Sequence, residues 1–171
     1  MEKPLAKVFI IFFCLSAIVW VWNTVMFNVT TGSLLEFGTL TFIENLDPAQ
    51  ERVAYSELAQ RSVYSFAAYP IAVISALGFL KTTRRSLKND GWLMMSAAIF
   101  LIFIPVELYC MWLDWKIVGL QYWGEWPIEE FRKAFVARMT ALAGLPFIAQ
   151  LCYLTIPVII IFKPLQQQQH Q

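Results

Sequence analysis

The sequence predicts an all-α protein: a four-helix transmembrane bundle with both chain ends in the cytoplasm (N-in/C-in) and partly structured outer loops. Three observations support this. Of 171 residues, 58% are hydrophobic and only 15% are charged, whereas soluble domains carry roughly 25% charged residues. Four apolar stretches are long enough to cross a bilayer, and the positive charges concentrate in short segments on one side of them. A chain this poor in charge could not cover its own surface in water.

A bilayer core about 30 Å thick requires about 20 apolar residues of helix. The stretches that meet this length are residues 8–27, 63–80, 92–113 and 139–162. We expect the first span to be retained as an anchor, because no small-residue cleavage site follows its apolar centre. The spans form a single membrane domain over residues 1–165. The Gln-rich tail, residues 166–171, has no apolar periodicity and is predicted to be disordered.

The orientation follows from the lysines and arginines, which mark the cytoplasmic side of a membrane protein. They are dense before the first span, between the second and third spans, and after the fourth: Lys3, Lys7, Lys81, Arg84, Arg85, Lys88 and Lys163. The longer link between the first two spans holds more acidic than basic residues. Tryptophans at the opposite ends of the spans, including Trp22 and Trp112, match an interfacial belt. Both chain ends are therefore predicted to lie inside the cell.

The outer links also contain helix signals. Asp47 followed by Pro48 is typical of a helix start, with Asp as N-cap and Pro at the first helical position. A helix from Pro48 to Thr82 would be about 50 Å long, so its first turns would stand outside the bilayer. Pro127 is predicted to start a short helix that leads into the fourth span. The apolar stretch at residues 34–46 is expected to lie on the membrane surface or to pack on the helix tops.

Glu107 is the strongest functional candidate, because an ionisable group at this depth in a span is costly and usually faces protein or water. Asp114 lies seven residues later on the same helical face. Arg138 enters the fourth span at comparable depth from the other side. Because the third and fourth spans are antiparallel neighbours in sequence, a Glu107–Arg138 ion pair is geometrically reasonable. These residues could form a proton or cation site, or a polar socket for a partner. The favoured alternative is an internal ion pair that locks the helix packing.

Further polar candidates are Asn23 and Thr24 in the first span, Ser75 in the second and Gln150 in the fourth. Side chains of this kind often form hydrogen bonds between membrane helices, and that structural role is the favoured one over ligand contact. Prolines occur in each of the last three spans, among them Pro105. Such prolines either bend helices around a cavity or are simply tolerated in membrane helices.

Several functional classes lose support. The net charge of +1 leaves no basic face for nucleic acid. The single histidine, His170, lies outside the spans, so no histidine is placed to hold a haem, and no metal or cofactor is expected. Cys14, Cys110 and Cys152 each lie in an apolar run and are expected to be free thiols. No nucleophile–base pair or phosphate loop is present, so an enzyme is the least supported class.

The layout resembles that of the immunity proteins that protect bacteria from pore-forming colicins. The resemblance is carried by Pro70 early in the second span, by the basic stretch Lys81-Thr82-Thr83-Arg84, and by Glu107 within Val106-Glu107-Leu108. The Gln-rich end departs from that family, whose members tend to end in basic residues. The resemblance implies a four-span inner-membrane protein that recognises the pore-forming domain of a toxin in the bilayer and blocks channel opening.

We therefore predict a non-enzymatic protein of the bacterial inner membrane that recognises a membrane-inserted partner by helix–helix contact. Immunity to a pore-forming bacteriocin is its most concrete form, with specificity carried by Glu107, Asp114 and Arg138. Two alternatives stay open. One is an accessory subunit of a membrane transport or respiratory complex. The other is a small carrier or lipid-binding protein whose cavity is lined by Glu107 and Gln150.

Overall fold

Six α-helices make up most of the computed structural model, which describes residues 3–36, 39, 41–43, 46–124 and 127–165. A single 3₁₀ turn, Ala141–Gly144, precedes the last helix. Strands are absent from these ranges, which contain one isolated β-bridge between Leu35 and Phe42. The helices are α1 (Pro4–Gly32), α2 (Pro48–Thr82), α3 (Gly91–Ile102), α4 (Ile104–Trp123), α5 (Ile128–Met139) and α6 (Leu145–Phe162).

Four helical segments of the described chain are long and apolar enough to cross a membrane: Pro4–Gly32, Pro48–Thr82, Gly91–Trp123 and Ala141–Phe162. The third combines α3 and α4. Large apolar side chains such as Ile18, Ile74 and Ile161 lie exposed on the outer helix faces, as expected where hydrocarbon rather than water surrounds the protein. The all-α class and the presence of four such helices are therefore confirmed.

Two helix starts are where the sequence signals place them. The carboxylate of Asp47 accepts a hydrogen bond from the backbone N–H of Ala49 at 3.1 Å, and α2 runs from Pro48 to Thr82 as predicted. The predicted short helix after Pro127 is α5, for which Pro127 is the N-cap. At 1.5 Å per residue α2 is about 50 Å long, which exceeds a bilayer core.

The third predicted span is not one continuous helix. It is interrupted at Phe103, and α4 begins at Ile104 with Pro105 in its first turn. Proline lacks the N–H that would bond to the preceding turn, and its ring clashes with the carbonyl four residues back, so the break falls where a proline requires it. The helix then continues to Trp123 rather than to residue 113. Ile117 and Val118, beyond the predicted end, are almost fully buried, and this packing keeps the extra turns helical.

The fourth predicted span also begins differently. Residues 139–144 do not form an α-helix: α5 ends at Met139, and α6 begins only at Leu145. Between them the backbone is left-handed at Leu142 (φ 52°), Ala143 (φ 49°) and Gly144 (φ 85°). Glycine adopts this conformation freely, whereas residues with a Cβ do so at a cost of roughly 1–2 kcal/mol each. This short left-handed turn separates α5 from α6.

The two ends of the molecule differ. Phe9 of α1 lies against Gly78 near the end of α2, and Leu165 lies against Gly91 at the start of α3. The start of α1, the 83–90 link and the end of α6 therefore share one end, here called the terminal end. The opposite end, called the loop end, carries the α1–α2 link, the α4–α5 link and α5. Along the molecule α1 packs on α2, α2 on α4, and α3 on α6.

Two apolar cores stabilise this arrangement. The loop-end core joins α5 to the tops of α2 and α4, and its fully buried members include Tyr55, Leu58, Ile117, Phe131 and Phe135. Leu34 and Leu35 are buried in it, and Phe42 and Leu46 pack against it, so these described residues of the apolar stretch pack on the helix tops. The central core holds the aromatic side chains Trp20, Tyr69, Phe100 and Tyr153. The predicted disorder of residues 166–171 concerns a segment outside the described residues.

Candidate functional site

A polar cavity of about 130 Å³ lies between the two cores. Trp20 of the central core and Phe27 of the loop-end core both line it. Its walls come from α1, α2, α4, α5 and the start of α6. The polar side chains that line it are Thr24, Asn28, Ser62, Ser65, Glu107, Asp114, Arg138 and Gln150. Polar groups are expensive within membrane spans, so their convergence on one cavity marks it as the candidate site.

Arg138 and Asp114 form a buried ion pair on one wall of this cavity. The Nε atom of Arg138 donates a hydrogen bond to Oδ1 of Asp114 at 2.7 Å, and both side chains are largely shielded from solvent. The guanidinium carbon also lies 5.4 Å from the centre of the Phe27 ring. Because the charges are in direct contact, each offsets much of the desolvation cost of the other.

Glu107 is placed differently from the prediction. Arg138 pairs with Asp114 and not with Glu107, because α5 ends at the level of Asp114, two helical turns closer to the loop end. The Glu107 side chain is 6% exposed, and its Oε1 atom has no hydrogen-bond partner within the described part of the chain. Glu107 does lie in the first turn of α4, where the positive end of the helix dipole favours a negative charge.

Gln150 lines the cavity, whereas Asn23 does not. The Gln150 carbonyl oxygen accepts a hydrogen bond from the Asn28 amide at 3.2 Å, which links α6 to α1 near the surface. Asn23 is buried, but its amide donates to the Val19 carbonyl of its own helix at 2.8 Å. The structure therefore gathers Glu107, Asp114, Arg138 and Gln150 around one cavity and leaves Asn23 outside it.

The cavity opens between α1 and α6. The lining residues on α2 and α4, such as Ser62 and Glu107, are buried, whereas Asn28, Gly144 and Phe147 are exposed. In the described ranges the backbones of α1 and α6 do not pack closely. Asn28 and Gln150 provide the hydrogen bond that crosses the gap at this level. An incoming group could therefore reach Glu107 from the side of the bundle, near the loop end.

Sequence reasoning missed part of the lining. Thr24 was among the polar candidates and does line the cavity, but Trp20 and Asn28 were not identified as lining. Trp20, Thr24 and Asn28 follow one another at intervals of four residues and so share one face of α1, a spacing that could have identified all three. Ser62 and Ser65 carry no comparable signal. The Ser62 hydroxyl donates to the Leu58 carbonyl of its own helix at 3.0 Å, which is common for serine in any helix.

A second polar cluster, centred on the buried Glu51, lies in the loop-end core, and no sequence pattern indicated it. Arg132 makes a bidentate contact with Glu51 at 2.6 and 2.7 Å, and the Tyr55 hydroxyl donates to the same carboxylate at 2.7 Å. Glu51 is only 1% exposed. The hydrogen bond with Glu51 raises the pKa of the Arg132 guanidinium above its usual value. With its carboxylate satisfied from two sides, this cluster joins α5 to α2.

The cavity lacks the elements of a metal or redox centre. Among the residues that the structure describes, no group of three or more His, Cys, Asp or Glu side chains is placed to hold a metal ion. Cys14, Cys110 and Cys152 all lie in the described chain and are free thiols, with Cys110 buried beside the cavity. What the site can do is accept hydrogen bonds through Glu107 and present the Asp114–Arg138 pair.

The chain was compared with protein-family models, with curated proteins and with solved structures, and none of the three comparisons found a match.

Proposed function

We propose that the chain is a non-enzymatic four-span protein of the bacterial inner membrane that recognises a membrane-inserted partner through the cavity between α1 and α6. The observation that carries this proposal is the unpaired Oε1 atom of the buried Glu107 side chain. A buried polar atom without a partner costs roughly 1–3 kcal/mol. A protein that needed only internal packing would gain stability from losing this group, whereas a binding protein needs an acceptor that is free until the partner arrives.

The proposal includes an orientation with both ends in the cytoplasm. Lys7, Lys81, Lys88 and Lys163 all belong to the terminal end of the molecule, and the positive-inside rule assigns such an end to the cytoplasm. The loop end, with α5 and the opening of the cavity, then lies toward the outer face. A partner that inserts from outside the cell would meet this end first.

A helix fits the surroundings of the opening. Val25 and Val29 are exposed next to Asn28 on α1, and Phe147 and Leu151 are exposed next to Gln150 on α6. These apolar side chains flank a polar entrance. A partner helix embedded in the bilayer could rest on both flanks while one of its polar side chains enters the cavity.

Immunity to a pore-forming bacteriocin is the concrete form of this function, because such a toxin inserts helices into the inner membrane. The test begins with the DNA that flanks the gene. A neighbouring toxin gene that encodes a long apolar hairpin leads to a survival assay, in which cells producing the chain should survive the toxin and cells producing Glu107→Gln should not. If cells with the native chain and cells with Glu107→Gln both die although both proteins insert into the membrane, immunity is contradicted. Neighbours that encode polytopic or redox subunits would instead favour the accessory-subunit alternative.

The volume of the cavity favours one second candidate, a carrier or lipid-binding protein. About 130 Å³ is close to the roughly 150 Å³ of an engineered cavity that binds benzene. A small amphiphile that entered between α1 and α6 would reach both Gln150 and Glu107. Native mass spectrometry of the protein released from lipid nanodiscs tests this candidate. A bound small molecule that is lost in Glu107→Gln would support it, and an unliganded mass in both forms would argue against it.

A further inference from the structure

We propose that the cavity is a socket for a cationic side chain, the ammonium of a lysine or the guanidinium of an arginine, presented by a helix of the membrane-inserted partner. This inference rests on the proposed function and adds the chemistry of the recognised group. The first supporting observation is a hydrogen-bond acceptor that has no donor. Glu107 Oε1 is buried beside the cavity and lacks a donor in the described chain, so the group that completes it must donate a hydrogen bond.

The charges around the cavity indicate a cation rather than a neutral donor. Two carboxylates, Glu107 and Asp114, face one guanidinium, that of Arg138. Arg138 is engaged with Asp114 at 2.7 Å, so Glu107 has no cation in direct contact with it among the described residues. One added positive charge would balance the lining. Charge-assisted hydrogen bonds to a carboxylate are roughly twice as strong as neutral ones.

Two of the donors that line the cavity are already in use, one at the opening and one on the buried wall. The Asn28 amide donates to Gln150, and the Ser62 hydroxyl donates to Leu58 of its own helix. Thr24 and Ser65 also line the cavity, and their hydroxyl oxygens can accept hydrogen bonds from a cation that has three or more donors. The lining is therefore rich in acceptors for an incoming ammonium or guanidinium.

The shape of the cavity suits a long side chain with an apolar stem. The entrance and walls include Phe27, Met111 and Phe147, and Trp20 lies at the border with the central core. Lysine and arginine lay their methylene groups along apolar surface while the charged head reaches a polar group. An indole or phenyl ring beside the head adds a cation–π attraction.

The experiment uses the purified full chain in phosphatidylcholine vesicles and a series of synthetic transmembrane helices of leucine and alanine. Each helix carries one lysine, moved one residue at a time over two turns, and matched series carry glutamine, glutamate or norleucine at the same positions. Binding is measured by energy transfer between dyes on the two partners. We expect at least one lysine register to bind ten-fold or more tightly than norleucine, and this preference to disappear in Glu107→Gln. Glu129→Gln, the same change at an exposed carboxylate of α5, serves as the matched control and should keep the preference.

A second measurement does not depend on helix register. In a Cys14→Ser, Cys152→Ser background, Cys110 reports on the cavity that it lines. A cationic methanethiosulfonate, which carries an ethylammonium group, should label Cys110 faster than the neutral methyl reagent does. The ratio of the two rates should fall at least five-fold in Glu107→Gln and stay constant in Glu129→Gln.

The outcomes separate this inference from the proposed function. Equal binding of lysine and norleucine helices in every register would overturn the cationic socket. So would a ratio of labelling rates at Cys110 that does not change in Glu107→Gln. Glutamine helices that bind as tightly as lysine helices would show that the cavity takes an amide instead. A natural partner that still crosslinks at the α1–α6 opening under either result would leave the proposed function standing. Cationic reagents that label Cys110 faster, without any lysine-helix preference, would assign the site to a free cation or lipid headgroup and overturn the helix-borne side chain.

Discussion

Arg138 pairs with Asp114 at 2.7 Å, and this contact leaves Glu107, seven residues earlier on the same face of α4, without a partner for Oε1 among the described residues. The two carboxylates thereby have different roles. Asp114 holds the end of α5 against α4, whereas Oε1 of Glu107 makes no hydrogen bond within the described residues. The same three residues, paired differently, would have formed a closed structural lock.

The first prediction separates these roles by stability. Asp114→Ala should destabilise the protein by about 3–5 kcal/mol, because it leaves the buried Arg138 charge uncompensated. Glu107→Gln should change the stability by at most about 1 kcal/mol, because it breaks no internal hydrogen bond through Oε1. Reversible unfolding in mixed micelles measures both values. If Glu107→Gln lowered the free energy of unfolding as much as Asp114→Ala does, Glu107 would be the residue that makes the structural contact.

The second prediction concerns the attachment of α5. Arg132→Ala should destabilise the loop end by about 3 kcal/mol. This value is at the lower end of the cost of breaking a buried ion pair, because the Arg132 side chain is partly solvated. Glu51, which is only 1% exposed, would be left without its cation. Hydrogen exchange should therefore rise across Ile128–Met139. Lys133→Ala, which removes an exposed contact with Glu130, is the matched control and should leave exchange unchanged. Equal exchange in both variants would show that the apolar core alone holds α5.

The third prediction tests the left-handed turn before α6. Ala143 has a φ of 49°, a conformation that glycine adopts without strain. Ala143→Gly should leave the stability unchanged or raise it by up to about 1 kcal/mol, as the relief of strain offsets the greater flexibility of the unfolded chain. Ala137→Gly within α5 should lower it by about 1 kcal/mol. Unfolding curves of the two variants give the comparison. A similar loss in both would indicate a continuous right-handed helix through residue 143.

The fourth prediction addresses the break at Phe103. Pro105→Ala restores the missing N–H and should straighten α3 and α4 into one helix. Spin labels at the exposed positions Met94 and Tyr122 measure the result by electron–electron resonance in a cysteine-free background. The distance should lengthen toward about 42 Å, the span of 28 residues of straight helix. An unchanged distance would show that packing against α6, and not the proline, holds the break.

Much of the fold could be read from the sequence because membrane spans have a strong compositional signal. Length and apolarity identified four spans, and the pair Asp47-Pro48 located the start of α2. The sequence did not decide whether Pro105 bends its helix, since proline is often tolerated within membrane helices, so the break at Phe103 was not located in advance. The left-handed turn at Leu142 and Ala143 was not predictable either, because neither residue type favours that conformation.

The candidate site was only partly predictable for a related reason. The rarity of charge within spans identified Glu107, Asp114 and Arg138, and helical spacing placed the first two on one face. Which carboxylate receives Arg138 depends on where α5 ends against α4, a tertiary feature that no local pattern encodes. The Glu51–Arg132 contact joins residues 81 positions apart, so no local sequence pattern could predict it.

Recognition of a membrane-inserted partner at the α1–α6 opening is tested most directly by photo-crosslinking in native membranes. A benzophenone amino acid replaces Phe147 at the opening or, as the control, Ile74, an equally exposed residue of α2. We expect a defined adduct with one membrane-inserted protein from position 147 and none from position 74. The adduct should be lost with Glu107→Gln and kept with Glu129→Gln. The same adducts from both positions, or an adduct from position 147 that is indifferent to Glu107→Gln, would contradict recognition through this cavity.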